Sequence, residues 1–235
     1  MKNNTVLTHE EWVEARRGLL KKEKEFTRLR DELSAERRSL PWEKVEKDYA
    51  FEGPAGRETL ADLFDGRSQL IVYHFMYGPG WEVGCKSCSY LADHFEPAIV
   101  HLNARDVSFV AVSRAPLEDF REFRERMGWS FKWLSSHGSD FNWDFHVSFT
   151  QEELDSGKAY YNYAAEGFDC TEGPGASVFY RDADGKIFHT YSAYSRGLDM
   201  FITAYNYLDI VPKGRDEDDL AFTMEWVRHH DNYGA

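Results

Sequence analysis

Two of the three cysteines in this chain stand together as Cys85-Lys86-Ser87-Cys88, inside the stretch GWEVGCKSCSYLADHFEP. Two thiols one helical turn apart can do what one thiol cannot. The first, as a thiolate, attacks a disulfide and forms a mixed disulfide; the second attacks that bond and releases the reduced partner. The first step needs a thiolate near neutral pH. A helix N-terminus favours one, because its free N–H groups and dipole stabilise an anion. The flanking sequence supplies that setting. The apolar run QLIVYHFM precedes the pair and reads as a strand buried on both faces; SYLADHFEPAIVHLNAR follows it, with Leu91, Phe95 and Ile99 on a helical stripe. Cys85, at the helix start, is expected to attack and Cys88, one turn deeper, to resolve.

Two cysteines at this spacing are also half of a metal site. His94, His101, His137, His146 and His189 are available, but none forms a second close pair with Cys170, so neither a metal nor a cofactor is expected. Cys170, in EGFDCTEGPG, has no cysteine neighbour and reads as a bystander. Several residues can assist the pair. Lys86 can lower the thiol pKa by its charge or simply be solvated. Trp81 and Tyr77 can form an aromatic rim or pack in the core. Arg114 follows the buried run VSFVAVS and can bind an anionic substrate group or a carboxylate of the next helix. His146 can shuttle protons or be an ordinary loop histidine.

The rest of the chain must hold this pair in place. Thr8 with Glu11 reads as a capping box opening a helix that runs to about Ser39, with Pro41 as its stop. Trp12, Leu19, Phe26 and Leu33 recur every seven residues along it, with Lys22 and Glu36 breaking the second row of the seam. The helix packs either on its own domain or, as an arm, on a second copy of the chain. Turn signals in EGPAG predict a hairpin, TLADLF one helical turn, PLEDFREFRERMG a helix and SFKWLSS a short strand. HGSDFNWDFHVSF reads as an irregular loop, and TQEELDSG as a second capping box. GASVFYRDADGKIFHTYSAY is a hairpin around Asp-Ala-Asp-Gly, and LDMFITAYNYLDI a final amphipathic helix. Strand–helix–strand alternation followed by a late hairpin implies an α/β fold with a mixed central sheet and helices on both faces. Three parts are expected: a helical arm over 1–40, an α/β domain over 41–212, and a tail over 213–235 that no pattern places.

Composition narrows the partners. A chain of 235 residues that is 42% hydrophobic and 16% aromatic builds a core. A net charge of −13 argues against nucleic acid, and no apolar run is long enough for a bilayer. The charged start MKNNTVLTHEEWVEARRGLL lacks an apolar signal core, and three cysteines make no disulfide scaffold, so a cytoplasmic setting is expected.

The strand–CxxC–helix unit and the VFYRDADGKIFHTYS hairpin resemble a thioredoxin-like fold. YAFEGPAGRETLADLFDGRSQLIVYHF resembles the entry hairpin and first core strand of the peroxiredoxin and thiol-disulfide-reductase branch. FMYGPGW…GCKSCS, FNWDFHVSFT, GASVFYRDADGKIFHTYSAYSRGLD and the ending EWVRHHD are similar, over most of the chain, to the bacterial thioredoxin-like family labelled domain of unknown function 899. That resemblance implies a thioredoxin-like three-layer fold and a dithiol-disulfide oxidoreductase acting on a disulfide-bearing protein or a small thiol substrate. It also places Ala176 and Ser177 where thioredoxins keep a proline facing the cysteines, with Pro174 two residues too early; Ser177 therefore joins Trp81, Lys86 and Arg114 as a candidate substrate contact. Gly84 stands where thioredoxins have Trp, and Lys86-Ser87 where they have Gly-Pro. Two rival functions stay open. One is a peroxiredoxin-like peroxidase, although Glu82 and Val83 occupy the place between Pro79 and Cys85 where a hydroxyl is wanted. The other is a non-catalytic thioredoxin-like scaffold or metal-carrying module.

Overall fold

The computed structural model describes residues 5–165 and 167–234. The chain divides into two compact units, Met1–Pro41 and Trp42–Ala235. The first is built on helix α1 (His9–Ser39). The Thr8 hydroxyl accepts from the Glu11 N–H at 3.3 Å, and the Glu11 carboxylate accepts from the Thr8 N–H at 3.0 Å, so the expected capping box forms. Glu10 and Glu11 face the positive end of the helix dipole, and Arg37 and Arg38 the negative end. No residue of α1 is buried; Trp12, Leu19, Phe26 and Leu33 are all exposed.

The second unit is built on strands β1 (Glu43–Lys44), β2 (Ala50–Gly53), β3 (Gly56–Thr59) and β4 (Gln69–His74), then helices α2 (Lys86–Ala92) and α3 (Glu96–Asn103). There follow β5 (Val107–Ser113), α4 (Leu117–Arg126), β6 (Trp133–Ser135), α5 (Phe141–Asp144) and α6 (Gln151–Asp155). A small hairpin, β7 (Tyr160–Tyr161) with β8 (Ala164–Ala165), precedes β9 (Gly175–Arg181), β10 (Ile187–Tyr194) and α7 (Thr203–Leu208). Eight strands of the described residues form one sheet in the order β1-β10-β9-β4-β5-β6-β2-β3. β4, β5 and β6 run parallel, while β9 lies antiparallel to β4 and pairs with β10. The mixed α/β, thioredoxin-like arrangement expected from the sequence is thus borne out, with a long helix ahead of it.

Alternation along the buried strands divides the core. Tyr73, Phe109, Ala111 and Trp133 point to one face, where α2, α4 and α7 pack through Cys88, Leu91, Phe120, Phe123 and Tyr205. Leu70, Val72, Val110, Val112 and Leu134 point to the other, against Phe51, Phe64, Phe141 and Phe145. The longer helices of this unit gather on the first face. The second face is closed by the β2–β3 hairpin, the 3-10 turn Asp62–Phe64 and the short α5.

Three local readings change. The stripe through Leu91, Phe95 and Ile99 is two helices, because Pro97 is confined to the first turn of α3 and forces a new start there. The stretch read as an irregular loop contains α5, which buries Phe141. The final helix is a 3-10 segment, Ser195–Phe201, followed by α7, with Ile202 at φ −99°, ψ 89° between them. The tail folds into this unit. Glu217 accepts from the Tyr205 hydroxyl at 2.8 Å, the Met224 N–H at 3.0 Å and the Trp226 indole N–H at 2.6 Å, and Val227 and His229 are buried.

Candidate functional site: the Cys85–Cys88 pair

β4 lies at the centre of the sheet, and its continuation carries the thiol loop. The Phe75 N–H donates to the Val112 carbonyl at 2.9 Å, and the Ser113 hydroxyl to the Phe75 carbonyl at 2.7 Å. The chain turns back at Gly80, whose φ of 77° favours glycine. The Cys85 N–H then closes the loop on the Met76 carbonyl at 3.2 Å. Gly84 is buried just before the first cysteine. A Cβ there would stand 2.7 Å from the Phe75 ring and 2.8 Å from the Phe123 ring, so a side chain is excluded and the loop lies flat on the core. The tail holds the same peptide from the other side. His229 donates through Nε2 to the Gly84 carbonyl at 3.0 Å, and its Nδ1 accepts from the Arg126 guanidinium at 3.0 Å. Arginine can only donate and a carbonyl only accept, which assigns that tautomer.

Cys85 is the N-cap residue of α2 and is partly exposed; Cys88, one turn in, is 1% exposed. The Cys88 thiol donates to the Cys85 sulfur, and the Ser87 and Cys88 backbone N–H groups add to it. Against the opposing effect of burial, these lower the Cys85 thiol from 9.0 to about 7. Burial pushes Cys88 well above its ordinary value, and its bond to Cys85 pushes it further. The two sulfurs therefore differ in both exposure and the direction in which their surroundings shift them.

A cavity of about 360 Å³ opens beside them. Met76, Leu91, Phe168, Leu198 and Ile202 supply much of its apolar wall, and Met224 of the tail closes one side. Tyr73 also lines it. Its hydroxyl is buried beside the Cys88 sulfur, a weak acceptor, and has no conventional partner among the described residues. Tyr161, on the same wall, donates to the Pro174 carbonyl at 2.6 Å and accepts from the Ser195 N–H at 3.1 Å.

The structure gathers some of the residues singled out by sequence and separates others. Lys86 is exposed at the first position of α2. Trp81 is half-buried against the aromatic core, directly over Gly78, and does not line the cavity. Tyr77 is fully buried core, its hydroxyl donating to the Asp119 carbonyl at 3.0 Å. Arg114 is committed to a carboxylate: its Nε donates to Glu172 at 2.7 Å, and the Ser148 hydroxyl donates to the other oxygen at 2.6 Å. That carboxylate comes from the segment before β9, not from the next helix. His146 is exposed, at φ 52°, with its ring against Tyr160.

Ser177 requires a correction. It pairs with Val72, so the strand pleat turns it to the face away from Tyr73 and the thiols. Fully buried there, its hydroxyl bonds His74 Nε2 and the Ser192 hydroxyl, each at 2.8 Å. It is Pro174, immediately before β9, that lines the thiol cavity. Cys170 is half-buried, its thiol pushed up by burial and, more weakly, by the charge of Cys85. Sequence reading did not single out Tyr73, Tyr161 or His229. The resemblance to thioredoxins sets Pro174 aside as two residues too early, and its place lining the cavity corrects that reading. Among the described residues, no group of three or more His, Cys, Asp or Glu side chains is placed to hold a metal ion, and no helix is long and apolar enough to cross a membrane.

Residues 1–233 match the model of a family described as bacterial protein of unknown function, DUF899. The chain belongs to the DUF899 family. No curated protein matches this DUF899 chain in sequence. Among solved structures it is similar to the peroxidoxin BcpB of Mycobacterium tuberculosis, at 15% identity and a TM-score of 0.46, over 68% of this chain and 92% of that one. It is also similar to a PrxQ mutant of Xylella fastidiosa, at 11% identity and a TM-score of 0.45, over 72% and 96%. A third is a protein from Chlorobium tepidum described as a thiol:disulfide interchange protein, DsbE, at 17% identity and a TM-score of 0.39, over 71% and 98%.

The packing of Gly84 makes a direct prediction. Gly84→Ala forces two core rings or the thiol loop to move, at a cost of about 1–3 kcal/mol. Urea denaturation should show that loss; unchanged stability would mean the loop is not held as described.

Proposed function

We propose that this DUF899 protein is a thiol-disulfide oxidoreductase, with Cys85 as the attacking thiol and Cys88 as the resolving thiol. The observation that carries the reading is the placing of two neighbouring sulfurs beside a cavity, Cys85 partly exposed at the N-cap of α2 and Cys88 buried one turn in; the thiol of the first is lowered to about 7 and that of the second is raised by burial. The Cys85 thiolate attacks one sulfur of a substrate disulfide. The substrate S–S bond breaks, one half leaves as a thiolate and takes a proton, and a mixed disulfide forms at Cys85. Cys88 then loses its proton and attacks the Cys85 sulfur. The second half leaves, and the pair is left as an intramolecular disulfide that has given two electrons to the substrate. Tyr73 assists this second step, because its buried hydroxyl stands beside Cys88 and can donate to the sulfur as it becomes negative. A cellular thiol reductant restores the pair, and a cytoplasmic setting, where thiols are kept reduced, belongs to the same reading. Lys86, exposed next to Cys85, adds positive charge at the entrance.

The two single variants test the roles. Cys88→Ser should accumulate a mixed disulfide at Cys85 when exposed to disulfide, because nothing remains to release the adduct. Cys85→Ser should accumulate none and lose disulfide reduction. Mass spectrometry after disulfide and, separately, after peroxide separates the rivals. A peroxidase would build sulfenic acid at Cys85 with peroxide and no disulfide adduct. Equal trapping by both variants would overturn the assignment.

The exposed seam of α1 is assigned to a second copy of the chain. With Trp12, Leu19, Phe26 and Leu33 in one row, a parallel pairing of two α1 helices sets Glu25 of each against Arg30 of the other. Light scattering should give a dimer, and Phe26→Glu a monomer. A monomeric parent protein would refute this pairing.

A further inference from the structure

Resting on the redox reading above, we infer that the disulfide handled at Cys85 is carried by a small, uncharged, mainly apolar molecule and not by a protein. The cavity beside the thiols has the volume of a small-ligand site, about 360 Å³, or roughly a dozen water volumes. It is lined by both cysteines and by Met76, Leu91, Phe168 and Ile202. Its charged residues are spent on one another. Asp199 accepts from Arg196 at 2.9 Å and from Arg215 at 3.1 Å; Arg215 also holds Asp209 at 2.7 Å and lies 3.7 Å over the Tyr205 ring. None of these pairs calls for an ionised ligand. Tyr73, buried and also lining the cavity, keeps its hydroxyl beside the Cys88 sulfur and adds ring surface, not charge, to the wall.

The backbone argues against a protein substrate independently of the cavity. Extended peptides dock by pairing with a free strand edge. Here β4 and β9, the strands that reach the thiols, are interior strands of the sheet. The segment leading to Pro174 is also occupied. The Phe149 N–H donates to the Thr171 carbonyl and the Gly173 N–H to the Val147 carbonyl, each at 2.9 Å, and Ser148 bridges Glu172. The chain's own residues 147–149 thus take the backbone N–H of Gly173 and carbonyl of Thr171, groups that an incoming peptide would otherwise pair with. The buried Glu172–Arg114 pair holds that segment down.

The test uses full-length Cys88→Ser, which retains the adduct at Cys85, and four probes: dipropyl disulfide, bis(2-hydroxyethyl) disulfide, oxidised glutathione and insulin. Each rate is divided by that of the same disulfide with N-acetylcysteine, which removes intrinsic reactivity. Dipropyl disulfide should exceed oxidised glutathione and insulin by about tenfold or more. Insulin or oxidised glutathione reacting as fast as dipropyl disulfide would overturn the inference while leaving the redox reading intact. No reaction with any of the four would overturn the redox reading itself, and this inference with it. A second variant pair locates the preference. Thr223→Trp narrows the exposed rim and Leu198→Trp fills the interior of the cavity. With folding verified by circular dichroism, either change should lower the ratio of dipropyl to hydroxyethyl disulfide rates about tenfold. An unchanged ratio in a folded variant would overturn the cavity as the recognition site.

Discussion

Negative charge on the Cys85 sulfur is opposed by burial and supported by the Cys88 thiol together with the Ser87 and Cys88 backbone N–H groups. The balance decides what the site can do. A thiol at about 7 is roughly half ionised at neutral pH, whereas one near 9 is only ~1% thiolate. The supporting donors exist only because α2 starts at Cys85, and α2 starts there because the chain has just left β4 and turned through a glycine-containing loop. Cys88 shares the helix but none of this exposure. One turn separates a thiol lowered by helix-start donors from one raised by burial.

Much of the surrounding structure maintains that single peptide geometry. The loop is pinned by the Cys85 N–H to Met76, by the two rings that leave no room for a side chain at Gly84, and by His229 reaching the Gly84 carbonyl. The last contact explains what the acidic and aromatic tail does. It is not a separate appendage; it supplies Met224 to the cavity wall and His229 to the loop before Cys85. Arg114 pairs with Glu172 in the segment leading to Pro174, and that buried carboxylate would be costly if left alone.

The parts legible in sequence were those governed by local rules. Continuous apolar runs marked β4 and β5, the Asp-Ala-Asp-Gly turn marked the β9–β10 hairpin, and Thr8 with Glu11 marked the start of α1, because each signal lies within a few residues of its effect. The cysteine spacing was legible for the same reason. What was not legible depends on register between distant segments. Whether Pro174 or Ser177 meets the thiols turns on which residue of β9 pairs with Val72, and a one-residue difference sends a side chain to the opposite face. Tyr73 looks like any apolar strand residue until α2 is packed on it. His229, 145 positions from Gly84, carries no local mark of its partner. The split of the last helix at Ile202 likewise reflects tertiary packing overriding an amphipathic pattern.

The central claim is that Cys85, and not Cys88, is the thiolate at neutral pH. The most direct test is the pH titration of thiolate ultraviolet absorbance in the reduced protein, compared with Cys85→Ser. A transition near pH 7 that disappears in Cys85→Ser is the predicted result. A protein whose first thiol ionises only at about 9 or above, or whose transition near 7 survives the loss of Cys85, would contradict it.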